Sequence, residues 1–488
     1  MFVLSGSEET PQLRRELGFA DALALVVGIT IGAGIFRVPG AVAQYFDSVW
    51  GVAGAWIGAA VFALAGSFIY AELGARLPYT GGEYVYVHRA FGALPAFVYG
   101  WSQLVAIRTY PVAALTLVFA EYFETFMPLG ERGRLAVAAA VIVLLGLINF
   151  FGLRSGKSVQ NMTTILKAGG ILALVATAAV LLRDTGNLHT AQIAPQKLGP
   201  LGNWSSAMLL TIFTYVGWDR VGYLAGEIRN PERTLPRALL AGAGVLAFLY
   251  LSLIFAYHLA FPIEVISASR VPGGDLARLL WGRAGAGALA LIVMISTAGA
   301  QNGNIMASSR VYYAMANDGL FLKSFARVHP RWNSPYIAIV AQCSWAIVLL
   351  LAGRSVESLA GSYVFSLLIL WSVTTLAYFK FRRQGGVAPF LAPGYPWMPA
   401  LYLVTLAGMT VATCYFHPRS ALSNIGLMAS GLPFYLLWRG RLQRSAIGRH
   451  RLGHTDGRHR IRPQAGHEEH VDHAEQRLHD HFEDHGNR

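Results

Sequence analysis

Two ionisable residues lie deep inside apolar stretches of this chain, and two glycine-bearing segments interrupt apolar stretches of their own. Asp219 sits in Tyr215-Val216-Gly217-Trp218-Asp219, at mid-membrane depth if the stretch spans a bilayer. A carboxylate there costs about 2.5 to 3.5 kcal/mol on insertion scales. It must face an aqueous cavity, pair with a cation or be protonated. Phe213, Tyr215 and Trp218 supply aromatic surface beside it, and their position at a break makes Phe213 and Trp218 candidates for a gate. Lys167, in Thr163-Thr164-Ile165-Leu166-Lys167-Ala168-Gly169, has no carboxylate within a turn or two. It either snorkels to an interface or places its ammonium in a cation site between the first and eighth apolar stretches. Ser296 and Thr297 would help line that site.

The other interruption is Thr30-Ile31-Gly32-Ala33-Gly34-Ile35-Phe36. A broken membrane helix exposes N–H groups that hold a carboxylate and carbonyls that hold an ammonium group. Two glycines without side chains would admit a ligand to that backbone, between bulky apolar walls. Glycine pairs in membranes also mark close helix crossings, so this segment alone leaves both readings open. Asn302, Asn304, His258 and Glu227 read as satisfied or structural polar groups.

The elements that must position these residues emerge from composition. Of 488 residues 54% are hydrophobic and 13% charged, whereas water-facing domains carry roughly a quarter charged. Apolar runs of about twenty residues, each long enough to cross a bilayer core, recur near 18–46, 49–75, 91–123, 135–152, 160–183, 203–226, 236–261, 284–316, 335–353, 357–381, 398–417 and 421–439. The expected fold is therefore an all-α polytopic membrane protein of about twelve transmembrane helices. Interruptions five spans apart, in the first and sixth, are what an inverted repeat of five plus five helices produces. The repeats would cover about 18–183 and 203–381, with two extra helices over 398–439 and a polar segment over 1–17.

The net charge of +13 falls mostly in short connections and after residue 440, so topology explains it better than nucleic acid does. Arg76, Arg89, Arg154, Lys157, Arg229, Arg233, Arg237, Lys323, Arg327, Arg331, Lys380, Arg382 and Arg383 enrich the even-numbered connections, which puts both termini in the cytoplasm. Residues 441–488 carry nine of the fourteen histidines and read as a disordered cytoplasmic tail. Their histidines suit metal binding or pH sensing less well than a plain solvated extension, and His467-Glu468-Glu469-His470 lacks the spacing of a zinc protease. No HExxH, GxGD or Ser-His pairing at motif-like spacing is present, so neither an enzyme, a cofactor nor a metal is expected.

Several segments then resemble the amino-acid/polyamine/organocation permeases, and within them the branch of L-type exchangers. They are GITIGAGIF at 28–36, GGEYVYVHRAFGALPAFVYGW at 81–101 and AIRTYPVAALTLVFAEYF at 106–123, with SVQNMTTILKAGGILAL at 158–174, FTYVGWDRVGYLAGEIRNPERTLP at 213–236 and NGNIMASSRVYYAMANDGLFL at 302–322. The resemblance covers roughly 18–440 and implies a LeuT-like fold with substrate between the first and sixth helices. It implies that the backbone of Gly32, Ala33 and Gly34, flanked by Ile31 and Ile35, binds the substrate carboxylate, while carbonyls of Thr30, Phe213 and Val216 take the amino group. Phe213 would gate, Asp219 would touch the substrate side chain or the gate, and Lys167 would replace sodium.

Departures from the family pattern are Ala33 for a serine, Val216 for a glycine and Asp219 for an asparagine, which makes a cationic substrate conceivable. The connection Met127 to Arg134 has no cysteine, so no disulfide-linked subunit is expected. The expected function is secondary transport of amino acids by sodium-independent exchange or proton-coupled uptake, at a prokaryotic inner membrane. The alternatives are a polyamine or organic-cation carrier, or a nutrient sensor that moves little substrate.

Overall fold

The computed structural model describes residues 13–182, 199–352, 356–386, 388–416 and 418–437. The helical body ends at Leu436; the separate C-terminal unit, and with it the His-rich tail, lies outside the described residues apart from Leu437. Among the described residues the chain is all-helical, with a single isolated parallel bridge between Leu17 and Ile228.

The elements run α1 (Phe19–Thr30), α2 (Gly34–Ala43), α3 (Val49–Arg76), α4 (Glu83–Phe91), α5 (Ala93–Ser102), α6 (Tyr110–Phe123), α7 (Gly130–Phe150), α8 (Leu153–Leu181) and α9 (Gly199–Tyr215). They continue with α10 (Pro231–Ala260), α11 (Ile263–Ala268), α12 (Pro272–Trp281), α13 (Arg283–Asn317), α14 (Tyr336–Leu351), α15 (Val356–Gln384), α16 (Trp397–Phe416) and α17 (Pro418–Ala429). Among the described residues, eight helical stretches are long and apolar enough to cross a membrane, and the bent pair α1 and α2 makes nine. This is fewer than the expected twelve or so. Two shorter apolar helices remain, α14 with 16 residues and a stretch from Ala421 to Leu437, while α9, with 17 residues that include Asn203, Ser205 and Ser206, is not among them.

Three interruptions position the interior. The α1 helix ends at Thr30, Ile31 is extended (φ −72°, ψ 93°), and α2 restarts at Gly34 with its axis turned by 43°. The α9 helix ends at Tyr215, Gly217 takes φ 137°, and the chain continues as a 3₁₀ stretch over Trp218–Glu227. Between α5 and α6 a π-helical turn covers Gln103–Ile107, so Arg108 N–H donates to Gln103 C=O at 2.9 Å. Such a turn inserts one residue and rotates the helix beyond it, a device often found at functional sites.

Central in the packing, α10 lies against α3, α1 and α8, while α13 lies against α8, α6 and α1. Apolar side chains such as Ile165, Phe248, Val404 and Val411 remain exposed on outer faces, as a helix bathed in lipid requires. These features describe an integral, multi-pass helical membrane protein.

Candidate functional site

The breaks after α1 and α9 touch each other. A Cβ on Gly217 would lie 2.9 Å from Thr30 N and Cα, closer than two backbones with a side chain between them can come. The positive φ of Gly217 also disfavours any L side chain there. Tyr250 of α10 ties the two breaks from behind: its hydroxyl lies 3.1 Å from the Thr30 carbonyl and 3.2 Å from that of Thr214, within donating distance of both.

In front of the breaks opens a cavity, and concave sites of this kind are where proteins hold small organic ligands. Thr30, Gly32, Ala33 and Gly34 line it from the first break, and Phe213, Thr214, Val216 and Arg220 from the second. Tyr110, Gln301 and Tyr363 close further sides. No side chain caps α2, and the leading N–H groups of a helix have no intrahelical acceptor. The wall at Gly32 to Gly34 is therefore an electropositive edge fit for a carboxylate.

Six of the nine residues expected to bind substrate, Thr30, Gly32, Ala33, Gly34, Phe213 and Val216, line this cavity. Ile31, Ile35 and Asp219 do not. Ile31 and Ile35 are fully buried, their carbonyls turned to other partners: Lys167 Nζ and Ser296 Oγ for Ile31, Tyr257 OH for Ile35. Phe213 packs edge-on against Tyr363 at 6.2 Å. Trp218, the other candidate gate, lies behind the wall, stacked on Trp371 at 5.9 Å and edge-on to Tyr70 at 5.0 Å.

Asp219 is paired with a cation. Arg108, delivered by the π turn, donates from Nη2 to Asp219 Oδ2 at 3.0 Å, lies 3.4 Å from Glu83 Oε2, and also bonds Tyr223 OH. Tyr223 and Tyr70 both donate to the Glu83 carboxylate. All three charged side chains are buried. The cluster holds two carboxylates against one guanidinium, and among the described residues Asp219 Oδ1, Arg108 Nε and Arg108 Nη1 find no partner.

On the opposite flank of the first break, Lys167 Nζ donates to the carbonyls of Gly28, Ile31 (3.0 Å) and Ser296 (3.2 Å). Ser296 Oγ donates to Ile31 C=O at 2.9 Å. Thr297 contributes no hydroxyl there, because its Oγ1 bonds back to Val293 and Met294 within α13. The ammonium thus sits on two carbonyls at the first break and one of the unbroken α13, fully buried and without a carboxylate among its hydrogen-bond partners.

Sequence reasoning passed over Arg108, Glu83 and Arg220. The signal was available: each is a charge inside or beside an apolar run, as costly as Asp219 by the same scale. Tyr110, Gln301 and Tyr363 carried no comparable mark, since neutral polar residues are common inside helical bundles. Elsewhere, Glu227 forms a buried two-point ion pair with Arg310 at 2.7 and 3.0 Å. Asn302 bonds the Gly156 carbonyl at 2.8 Å, and Asn304 bonds that of Arg108 at 2.8 Å.

Comparison with known proteins bears on what the cavity serves. The serine/threonine exchanger SteT of Bacillus subtilis (strain 168) is 29% identical over 428 residues, which are 87% of this chain and 96% of that protein. The b(0,+)-type amino acid transporter 1 of Rattus norvegicus is 28% identical over 445 residues, 89% of this chain and 90% of its own. The human cystine/glutamate transporter is 26% identical over 437 residues, 88% and 86% of the two chains. The amino acid permease family model matches residues 17–436, a range that contains both breaks, the cavity and the Lys167 site, and the chain belongs to that family.

Proposed function

We propose that this permease carries amino acids across the membrane by alternating access without sodium, through exchange or proton-coupled uptake. The observation that carries this reading is Lys167, whose ammonium occupies carbonyls of the broken first helix and of α13. Unwound carbonyls at such a place suit a monovalent cation, and a covalently attached one needs no ion from solution. The substrate carboxylate would meet the amides at Gly32 to Gly34. Its amino group would meet carbonyls at the second break, those of Phe213 and Val216, beside Thr30. The names of the aligned relatives, an exchanger and several amino acid transporters, agree with this reading.

The organic-cation alternative requires Asp219 as a counter-ion for substrate. Asp219 lies off the cavity and is bound to Arg108, so that reading loses its main support. The overall plan we infer is twelve crossings, ten in two inverted repeats over about 18–183 and 203–381 and two more over 398–439, with both termini cytoplasmic. A disulfide-linked subunit is not part of it, because the connection from Met127 to Arg134 offers no cysteine.

The test is uptake of labelled amino acids into proteoliposomes, empty or preloaded, with sodium or choline outside and with or without a pH gradient. Uptake should be the same in sodium and choline, and it should need either preloading or an inward proton gradient. Uptake that collapses in choline would sink the role given to Lys167.

A further inference from the structure

Arg220 lines the cavity and is almost wholly buried. Its Nη2 donates to Tyr363 OH, its Nε has no partner, and among the described residues no carboxylate lies within ion-pair distance of it. A guanidinium offers five donors in a fork that matches a carboxylate, and here the fork is largely unused. Asp219, its neighbour in sequence, is engaged with Arg108 at 3.0 Å. The other residues lining the cavity include no Asp, Glu, Lys or His. Among the described residues that line the cavity, Arg220 is therefore the one formal charge, and the excess carboxylate of the Arg108 cluster lies behind the wall.

We propose that the cavity selects amino acids with an acidic side chain, Arg220 receiving the second carboxylate while the amides at Gly32 to Gly34 receive the first. This rests on the amino acid transport proposed above. A neutral zwitterion would bring no net charge and leave the guanidinium fork without a carboxylate inside the cavity, where a desolvated donor left unpaired is costly. A cationic substrate would add a second positive charge. A dicarboxylic amino acid, with net charge −1, neutralises the cavity, and its two carboxylates match two anion acceptors on two different elements. Tyr363, already bonded to Arg220, and Gln301 are the neutral polar neighbours that would hold the fork and the bound carboxylate in line.

Glutamate and glutamine are the decisive pair, being nearly isosteric and differing by one charge. In proteoliposomes of the full chain, preloaded or under a proton gradient, glutamate should compete against labelled substrate better than glutamine by on the order of 10- to 100-fold, the usual weight of a hydrogen-bonded charge contact. Arg220→Gln should remove that preference, and Arg220→Lys should keep part of it. Thermal stabilisation of the purified protein by glutamate over glutamine, lost in Arg220→Gln, provides a readout that needs no flux. If the unsubstituted protein carries neutral amino acids with no preference for glutamate over glutamine, the assignment to Arg220 is wrong while amino acid transport stands. If no amino acid moves or stabilises the protein under any condition, the transport reading itself falls and takes this one with it.

Discussion

Arg108 is the one cation between two buried carboxylates, Glu83 and Asp219, and that arrangement predicts an asymmetric response to mutation. Arg108→Met leaves Glu83 and Asp219 facing each other without a cation, and breaking a buried pair in this way costs about 3–5 kcal/mol. Replacing all three, Arg108→Met with Glu83→Gln and Asp219→Asn, removes both the charges and their desolvation penalty. Thermal unfolding in detergent should therefore show a large drop for the single variant and recovery of most of it in the triple. A single variant as stable as its parent would mean that the cluster holds nothing together. Only part of this cluster is legible in the sequence. Asp219 announces itself by its depth, yet its partner Arg108 lies 111 residues away. Nothing local marks that pair, because the pairing depends on a π turn whose extra residue has no compositional signature.

The two helix breaks are more legible, since a glycine pair in the first apolar run, open by itself to a helix-crossing reading, is matched five runs later by a Val-Gly-Trp sequence next to a buried carboxylate. How near the breaks come to each other does not show in the sequence, because that distance depends on Gly217 and Tyr250, neither of which is unusual alone. Gly217→Ala should abolish uptake: the added methyl has no room against the Thr30 backbone at 2.9 Å, and φ 137° is closed to alanine. Gly169→Ala in α8 is the matched control. Nothing lies within 4 Å of its Cβ position, and alanine is the better helix former by about 0.8–1 kcal/mol. Uptake per inserted molecule should fall to background in the first and stay at the parent level in the second. Equal activities would show that the contact between the breaks is dispensable.

The path of the whole chain is constrained by parity, because a bilayer has two faces and each crossing switches between them. Leu17 N–H and Arg229 N–H bond across the bridge at Leu17 and Ile228, so the chain before α1 and the chain after the 3₁₀ stretch share a face. Five long spans precede α9: the bent pair, α3, the α5–α6 stretch, α7 and α8. If those five are crossings, an odd number leaves the chain on the far face, and the plan proposed above has α9 and its 3₁₀ continuation bring it back, although α9 has only 17 residues. Parity constrains the second half too. Arg382 at the end of α15 bonds Glu72 near the end of α3 at 2.9 Å, so those ends share a face as well. From Arg229 to Arg382 the long spans are α10, α13 and α15, again odd, and the plan proposed above adds the 16-residue α14 as the fourth crossing. Hydropathy alone cannot decide such short helices, and the long-range hydrogen bonds on which the parity argument rests are invisible in a sequence. Labelling tests the parity. With Cys343 and Cys414 replaced by alanine, single cysteines at Arg132, Arg229 and Arg383, all exposed positions, are treated with a membrane-impermeant maleimide in vesicles of known orientation. Positions 229 and 383 should react from one face and position 132 from the other. If 229 and 383 react from opposite faces, α14 does not cross, the parity fails, and the twelve-crossing plan must be abandoned.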